Sequence, residues 1–377
     1  MLNIRGEGWV RRAVAALALA GIAAVAAGCG SDSESAATTA SPTTTSAATS
    51  TTATTTSAAT TAASTATGAP ATTSTNTTTA PDGSTPGACR EITHVLGTAC
   101  VPAHPQRIVV LDTLLVLPTL LDAGAPMVGS VSVYDVGEPF PEFIDAPADL
   151  AVVGSLQTPN LELIAKAKPD LIIGADLVMQ PIQTQLEAIA PTVATTYAFY
   201  NPAWRDDALL VGDAAGVRDE VQASIEKLDA RIATEKARLT ANGEGPRLSR
   251  VDVFTGKPLY YEFACTAFGS VLLEAGIRQP AAQVADCTPT DYQSILKYPS
   301  AEQLDVLDAD AIVAYQQQAG SGDVGASPLD ALAANPLWAK LPAVQAGRTH
   351  VVGDAWGLGV SVPAFLLMLD DLQEIFP

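Results

Sequence analysis

From about residue 90 onward, the chain alternates between two patterns of apolar and polar positions. Short runs such as RIVVLD (107–112) and DLIIG (170–174) are almost continuously apolar, which is typical of strands buried on both faces. Between such runs, apolar residues recur every three to four positions, as in amphipathic helices. The pattern predicts an α/β fold with mainly parallel sheets covered by helices. The other predicted strands are PMVGSV (126–131), TVATT (192–196), SRVDVF (249–254), DAIVAY (310–315) and RTHVVG (348–353).

The order of these elements occurs twice. LLDAG (120–124) and LLEAG (272–276) each predict a helix that ends at a glycine in the left-handed conformation. NLELIAKAKPDLII (160–173) and SAEQLDVLDADAIV (300–313) each begin with a helix-capping residue, have a glutamate two positions later, and end in an apolar strand. The shared order predicts two similar lobes.

A long helix is predicted between the two lobes. No glycine or proline interrupts residues 217–241, and the apolar positions there have helical spacing. We therefore expect an N-terminal lobe (89–200), a linking helix (201–245) and a C-terminal lobe (246–377). A leading hairpin, ITHVLGTACVP (92–102), is expected to turn at Gly97. The apolar positions of the linking helix are Val221, Ile225, Leu228, Ile232 and Leu239.

The N-terminus has the pattern of an export signal. Three arginines precede an uncharged apolar stretch, 13–25, that is too short to span a bilayer. The following AAGC (26–29) resembles the lipobox of bacterial lipoproteins, so we expect a signal peptide (1–28) and lipidation of Cys29. An ordinary secretory signal is the alternative. The rest of 29–88 is rich in Ser, Thr and Ala and cannot bury enough apolar surface to fold, which predicts a disordered tether.

Composition and cysteine usage narrow the function further. The 40 acidic and 20 basic residues give a net charge of −20, which argues against nucleic acid as a partner. An even number of cysteines after Cys29 suggests disulfides in an oxidising compartment. Three pairings are possible, and we favour the sequence-local one, Cys89–Cys100 and Cys265–Cys287. A zinc site is the alternative for the first pair, with the ligands Cys89, His94, Cys100 and His104.

No motif of a known catalytic chemistry is present. The sequence has no G-x-S-x-G, H-E-x-x-H, Walker loop or G-x-G-x-x-G. Its three histidines are few for a bare zinc or manganese site. We therefore expect a binding protein without a catalytic site or a resident cofactor.

In doubly wound sheets, ligands lie beyond the carboxyl ends of the strands. The loops at those ends supply polar side chains in the first lobe, and tyrosines and a tryptophan, which combine flat apolar contact with a polar group, in the second. The candidate ligand-binding residues are Asp112, Thr113, Ser132, Tyr134, Gln157, Thr158, Asp176, Thr255, Tyr260, Tyr261, Tyr292, Tyr315, Gln316 and Trp356.

Three segments resemble one known family. ITHVLGTACVPAHPQRIVVLD (92–112), PNLELIAKAKPDLIIG (159–174) and NPLWAKLPAVQAGRTHVVGDAWG (335–357), together with the linking helix, are similar to the ferric-siderophore and cobalamin class of ABC-transporter solute-binding proteins. The resemblance covers residues 90–377 and is strongest to actinobacterial iron(III)-siderophore (ferric dicitrate-type) lipoproteins. It implies a lipid-anchored protein on the extracytoplasmic face of the membrane, with a ferric chelate held between its lobes.

The resemblance also implies a partner. Glutamates at the positions of Glu162 and Glu302 pair in this family with arginines of the two permease subunits. Two alternatives stay open: a haem-binding protein in which Tyr260 or Tyr261 ligates the iron, and an envelope protein of the same fold that docks other proteins. The scarcity of Arg and Lys in the predicted cleft loops favours a hydroxamate or a neutral lipidic chelate over a tricatecholate.

Overall fold

A computed structural model of the chain describes residues 89–133, 140–254, 257–261, 263–284, 296–315 and 328–377. Cys29, Tyr134, Thr255, Tyr292 and Gln316 lie outside this part of the chain, as do the predicted signal peptide and tether. Cys287 also lies outside it. The described residues fall within one compact unit, Thr79–Pro377.

The chain enters this unit through a hairpin. Strands β1 (Cys89–His94) and β2 (Gly97–Pro102) pair antiparallel, and His94 lies opposite Gly97, so the turn is made by the two residues before Gly97. Gly97 has φ +144°, which a side chain would disfavour. A disulfide joins Cys89 to Cys100, with Cα atoms 5.3 Å apart. This confirms one expected pairing and makes the zinc alternative wrong, because both thiols are used.

The first lobe contains a five-stranded, fully parallel sheet in the order β5-β4-β3-β6-β7. Every residue of the two central strands β3 and β6 is buried, as their unbroken apolar pattern predicts. All the strands predicted for this lobe are present. The strands are β3 (Ile108–Leu111), β4 (Met127–Ser132), β5 (Ala151–Ser155), β6 (Leu171–Ala175) and β7 (Thr192–Thr195).

Local signals place the helices of the first lobe. Asn160 caps one of them by accepting the backbone N–H groups of Glu162 and Leu163 at 3.0 and 3.1 Å. Gly124 follows another with φ +70°, as the LLDAG pattern predicts. The helices are α1 (Val116–Asp122), α2 (Leu161–Ala167), α3 (Asp176–Met179) and α4 (Gln183–Glu187), with 3₁₀ turns at Gln180–Ile182 and Ala198–Tyr200.

The second lobe has a five-stranded sheet of mixed direction, β10-β9-β8-β11-β12. Strand β11 is parallel to β8 and β12, as predicted, whereas β9 pairs antiparallel with both β8 and β10. The short, irregular sequence of β9 and β10 gives no clear strand pattern, and neither strand was predicted. The strands are β8 (Leu248–Phe254), β9 (Lys257–Tyr261), β10 (Leu296–Lys297), β11 (Ala311–Tyr315) and β12 (Thr349–Val352).

In the second lobe, the predicted left-handed glycine at the end of a helix is confirmed, whereas the predicted helix cap at Ser300 is wrong. Gly276 has φ +88° at the end of its helix, as expected. Ser300, however, does not cap an α-helix: its hydroxyl hydrogen-bonds to the Gln303 side chain, and Glu302 lies in a turn before the 3₁₀ segment Leu304–Leu307.

The remaining helices of the described chain in this lobe are short except for the last. They are α7 (Ala267–Glu274), α8 (Pro328–Ala333), α9 (Pro342–Gln345), α10 (Asp354–Gly357) and α11 (Val362–Ile375), with 3₁₀ turns at Phe263–Cys265, Ala281–Gln283 and Trp338–Lys340. Cys265 is disulfide-bonded to a partner outside the described residues.

Two helices, not one, occupy the linking segment 201–245. Helix α5 (Trp204–Ala215) ends at Gly216, which has φ +77°, and α6 (Arg218–Leu239) begins two residues later. The predicted apolar positions of α6 from Val221 to Ile232 are buried, and Leu239 is partly buried. They join a core cluster that contains residues of both lobes, such as Leu115 and Phe268, so α6 packs against the two lobes together.

Polar contacts hold the linking helices at both ends. Arg90 of the hairpin donates to the carbonyl oxygens of Asp213 (2.7 Å) and Ala214 (3.1 Å) at the end of α5. On α6, the fully buried carboxylate of Glu235 pairs with Arg231 and Arg238 and accepts a hydrogen bond from Gln373 of α11. Within the part of the chain described, no helix is both long and apolar enough to cross a membrane.

Candidate functional site

Aromatic rings from both lobes contact each other in the core cluster that the lobes share. Phe199, in the 3₁₀ turn after β7, lies 5.3 Å from Tyr261 of β9 and 5.7 Å from Phe268 of α7, measured between ring centroids. Tyr200 contacts Phe199 at 5.0 Å, and Tyr197 contacts Tyr200 at 5.8 Å. We call these five residues the interlobe aromatic cluster. In this cluster, aromatic side chains of the two lobes are in direct contact.

A buried arginine lies within this cluster. The guanidinium carbon of Arg250, on β8, is 3.8 Å from the Phe268 ring centroid, 5.0 Å from that of Tyr261 and 5.7 Å from that of Phe199. Its Nε and Nη2 atoms donate to the two carboxylate oxygens of Asp252 at 3.0 and 2.8 Å. Nη1 is buried without a hydrogen-bond partner. A guanidinium group with unused donors can bind an anionic oxygen.

Sequence reasoning missed Arg250 because it searched the loops after the strands. Alternation along β8 puts Arg250 and Asp252 on the same face, since side chains two apart in a strand point the same way. The signal that could have found them is the pair of opposite charges at this spacing inside the otherwise apolar run SRVDVF.

Burial changes the acid–base behaviour of the groups around Arg250. It raises the pKa of Asp252, while the arginine and the Tyr261 hydroxyl act in the opposite direction. Burial and the nearby Asp252 raise the pKa of Tyr261 well above its usual value. Burial also raises the pKa of Tyr197. Both tyrosine hydroxyl groups are therefore neutral in this structure and can donate hydrogen bonds.

In the first lobe, three neighbouring candidates are buried, and each has an atom without a partner. Asp112 caps helix α1: its Oδ1 accepts three backbone N–H groups, from Leu114 to Val116, at 2.7–3.1 Å. Its Oδ2 has no partner, and burial raises its pKa. The hydroxyl groups of Thr113 and Ser132 are also buried and unpartnered. These atoms lie at the carboxyl ends of β3 and β4.

The other candidates of the first lobe are more exposed. Asp176 Oδ1 accepts the N–H of Tyr197 at 3.0 Å, which ties the end of β6 to the interlobe aromatic cluster. Gln157 and Thr158 are exposed in the turn after β5, where Thr158 hydrogen-bonds to the Ser155 hydroxyl at 2.8 Å. The structure thus places Asp176 beside the cluster, and Gln157 and Thr158 in a separate turn.

In the second lobe, the side chains of Tyr260 and Tyr261 point to opposite faces of the sheet. Tyr261 joins the core cluster shared between the lobes, whereas Tyr260 points to the other face of the sheet and packs with Val251 and Leu304. Tyr315, at the end of β11, donates its hydroxyl to Asp354 Oδ1 at 3.1 Å. Trp356 is buried and donates its indole N–H to Asp371 at 2.6 Å. Tyr260 is therefore a core residue.

The two docking candidates are accessible. Glu162, in the first turn of α2, and Glu302, in its turn before the 3₁₀ segment, are both exposed. In the described part of the chain, no group of three or more His, Cys, Asp or Glu side chains could hold a metal ion.

Two α/β lobes joined by helices, with aromatic side chains of both lobes in contact at their junction, form the architecture of a two-lobed solute-binding protein. Residues 109–354 match the family model described as "Periplasmic binding protein", and the chain belongs to that family. The family consists of solute-binding proteins rather than enzymes.

Similar proteins match about three quarters of the chain. The "Probable siderophore-binding lipoprotein YfiY" of Bacillus subtilis (strain 168) is 30% identical over 290 residues, which are 76% of this chain and 87% of that protein. Staphylococcus aureus SirA in complex with staphyloferrin B has a TM-score of 0.63 at 24% identity, covering 76% of this chain and 98% of that one. The siderophore periplasmic binding protein from the fuscachelin gene cluster of Thermobifida fusca has a TM-score of 0.55 at 26% identity, covering 73% and 97%.

Proposed function

We propose that this protein is the extracytoplasmic binding lipoprotein of an ABC importer, and that it captures an iron(III)-siderophore between its lobes. Family membership and the siderophore-binding relatives support this proposal. The observation that carries it is Arg250: a guanidinium group with unused donors, enclosed by aromatic rings of both lobes. An iron chelate presents charged oxygens and flat organic arms, which such a group and such rings can bind.

The charges around this site favour a particular class of chelate. Arg250 is neutralised by Asp252, and the first lobe adds the carboxyl groups of Asp112 and Asp176. A ferric tricatecholate carries several negative charges and would be repelled. A ferric trihydroxamate is nearly neutral and still offers oxygens to Nη1. Because Arg250 is fully buried, the chelate reaches it when the lobes separate and is enclosed when they close.

Fluorescence titration of the purified protein tests this proposal. Ferric hydroxamates, ferric catecholates, ferric citrate and haem are added separately, and quenching of tryptophan and tyrosine emission is followed. We expect a ferric hydroxamate to bind with a Kd below about 1 μM. No quenching by any of these compounds below about 10 μM would contradict the proposal, and binding of haem alone would identify a haem carrier instead.

Substitutions locate the site. Arg250→Lys keeps the charge but loses the fork of donors, and we expect affinity to fall at least tenfold. Phe199→Leu tests the same region without changing a charge. Arg247→Lys is the matched control, since Arg247 lies just before the same strand and pairs with Asp310 away from the cluster. Equal losses for Arg250→Lys and Arg247→Lys would exclude a local role of Arg250.

Delivery to a permease is proposed to use Glu162 and Glu302. Both carboxylates are exposed, one on each lobe, so they are free to pair with basic groups of a two-subunit partner. The double variant Glu162→Ala/Glu302→Ala should bind the chelate normally, while uptake of radioactive iron falls sharply in cells. Glu91→Ala/Glu226→Ala, which removes two other exposed glutamates, is the control. Normal uptake by the first variant would refute the docking role.

The membrane anchor is proposed to be a lipid on Cys29. The signal pattern and the following Ser/Thr/Ala-rich stretch support it. Cys29→Ala should release the protein into the culture medium, and retention of this variant in the membrane fraction would refute lipidation.

A further inference from the structure

A glutamate of the first lobe contacts the second lobe close to two ligand-binding candidates. Glu142 directly precedes Phe143 and Ile144, which are buried in the first-lobe core and fix the backbone there. Its exposed side chain extends to Gly353, at the end of β12. The approach is so close that a Cβ atom at Gly353 would overlap the Glu142 carboxylate, and the three nearest atoms to that Cβ all belong to Glu142.

The carboxylate of Glu142 lies beside Gly353, directly before helix α10. The backbone N–H groups of Asp354 and Ala355, at the start of that helix, act to lower the pKa of Glu142. Burial, followed by repulsion from Asp354 and Asp371, raises the pKa of Glu142. The contact therefore brings a carboxyl group of the first lobe to the start of a helix of the second lobe.

The segment that Glu142 holds, residues 353–360, crosses between the lobes. We call it the crossing segment. Its Ala355 is buried in a core cluster made otherwise mainly of first-lobe residues, such as Leu117, and Val360 N donates to the carbonyl oxygen of Leu114 at 3.2 Å. The first lobe thus holds the crossing segment near both of its ends.

The same segment holds two side chains of the second lobe that were candidates for ligand binding. Asp354 accepts the Tyr315 hydroxyl, and the Tyr315 ring packs so closely on Gly357 that a side chain there would collide with it. Trp356 belongs to the segment itself. A shift of the segment relative to the first lobe would therefore move Tyr315 and Trp356 with it.

We propose that Glu142 is a positioning residue for chelate binding: it latches the crossing segment to the first lobe and so fixes the positions of Tyr315 and Trp356. This inference rests on the proposed function. The latch is exposed at the surface, so breaking it costs little stability. Its loss is expected to speed release of the chelate, because the segment that positions Tyr315 and Trp356 then loses one of its contacts with the first lobe.

The latch itself can be tested without any ligand. Glu142→Ala should increase amide hydrogen exchange at Asp354 and Ala355 at least tenfold, whereas Glu142→Gln, which keeps an acceptor oxygen, should change it much less. Gly353 has φ −84°, so alanine fits the backbone there, and Gly353→Ala acts only through its clash with Glu142. In the Glu142→Ala background, Gly353→Ala should then add almost no effect. Unchanged exchange in Glu142→Ala, or additive effects in the double variant, would overturn the latch.

The positioning role is tested by stopped-flow kinetics with a ferric trihydroxamate. We expect Glu142→Ala to raise the dissociation rate three- to tenfold with little change in the melting temperature, and Glu142→Gln to restore most of the wild-type rate. Glu91→Ala is the control for loss of an exposed carboxylate. Unchanged dissociation from Glu142→Ala would overturn the positioning role. If the wild-type protein binds none of the iron chelates, the proposed function and with it the positioning role fail, while the exchange experiment still decides whether the latch exists.

Discussion

The five-stranded sheets of the two lobes share one strand order but differ in strand direction. Numbered within each lobe, both sheets have the order 3-2-1-4-5. In the first lobe all neighbours are parallel, whereas in the second lobe the strand next to the first, β9, runs antiparallel to it. A parallel pair needs a long crossover, but an antiparallel pair can be joined by a short turn, and β8 and β9 are joined by two residues.

This difference decides which chemistry each lobe presents. In the first lobe, the parallel strands end in helix caps and hydroxyl groups, such as Asp112 and Ser132. In the second lobe, the hairpin pairs Asp252 with Leu259 and so brings Arg250, Asp252 and Tyr261 into contact. One strand order thus gives a group of buried side-chain oxygen atoms in one lobe and an arginine within aromatic rings in the other.

The buried ion pair of the second lobe should produce the largest effect. Arg250→Met leaves the Asp252 carboxylate buried without its partner, and we expect the free energy of unfolding to fall by about 3–5 kcal/mol. Asp112→Asn in the first lobe keeps the capping oxygen and should change stability by less than about 1 kcal/mol. Urea unfolding measures the free energy of unfolding of both variants. A similar loss in both would show that the two lobes depend equally on these buried charged groups. Arg250→Met/Asp252→Leu should recover most of the stability, and if it does not, the loss comes from packing of the arginine rather than from the unpaired charge.

The carboxyl group of Asp207, on α5 beside the first lobe, should give a pH dependence. Burial raises its pKa from 3.8 to about 6, despite hydrogen bonds from Asn201 and the Thr196 backbone. The folded state then binds more protons than the unfolded state between pH 4 and 6, so stability falls as pH rises through this window and is constant above it. We expect a loss of about 1–2 kcal/mol, after allowing for partial exposure to solvent.

Thermal unfolding between pH 4 and 8 of the wild-type protein and of Asp207→Asn measures this contribution. The difference between the two curves isolates Asp207 from other carboxyl groups with raised pKa values, such as Glu142 and Asp371. Asp206→Asn, at the exposed neighbouring position, is the control. Parallel curves for the wild type and Asp207→Asn would contradict the assignment.

The two glycines that end matching helices should respond unequally. Gly124→Ala meets no atom within 4 Å, so it should cost only the strain of a left-handed residue, about 1 kcal/mol. At Gly276 the new Cβ would lie 3.0 Å from Thr240 Cγ2, which adds crowding to the same strain. We expect Gly276→Ala to cost about 2 kcal/mol in denaturant unfolding. Equal losses of unfolding free energy in the two variants would mean that the Thr240 side chain moves aside without cost.

The smallest difference concerns the two predicted caps. Asn160→Ala removes an acceptor for two backbone N–H groups of α2 and should cost about 1 kcal/mol. Ser300→Ala removes only a contact with the Gln303 side chain and should cost less than about 0.5 kcal/mol. The comparison uses denaturant unfolding of both variants. A cost of Ser300→Ala that matches that of Asn160→Ala would show that the repeat extends to the cap.

Most of the fold could be predicted, but only part of the site. The continuous apolar runs correctly predicted β3, β6 and β11. A strand buried on both faces is apolar at nearly every position, so its sequence alone identifies it. The rule about carboxyl ends found Asp176 and Tyr261 near the interlobe aromatic cluster. It did not find Phe199 and Phe268, which are indistinguishable in sequence from ordinary core residues, and Tyr260, which it included, packs on the other face of the sheet.

The sequence by itself determined the features that depend on contacts between residues a few positions apart. The Asn160 cap, the left-handed glycines and the Cys89–Cys100 disulfide depend on neighbours close along the chain, so local chemistry is sufficient to specify them. Only the tertiary structure decided that β9 runs antiparallel, that Arg250 lies among rings from both lobes, and that Glu142 reaches Gly353. These contacts join residues far apart in the chain, and an amphipathic pattern specifies which face is buried but not which partner covers it.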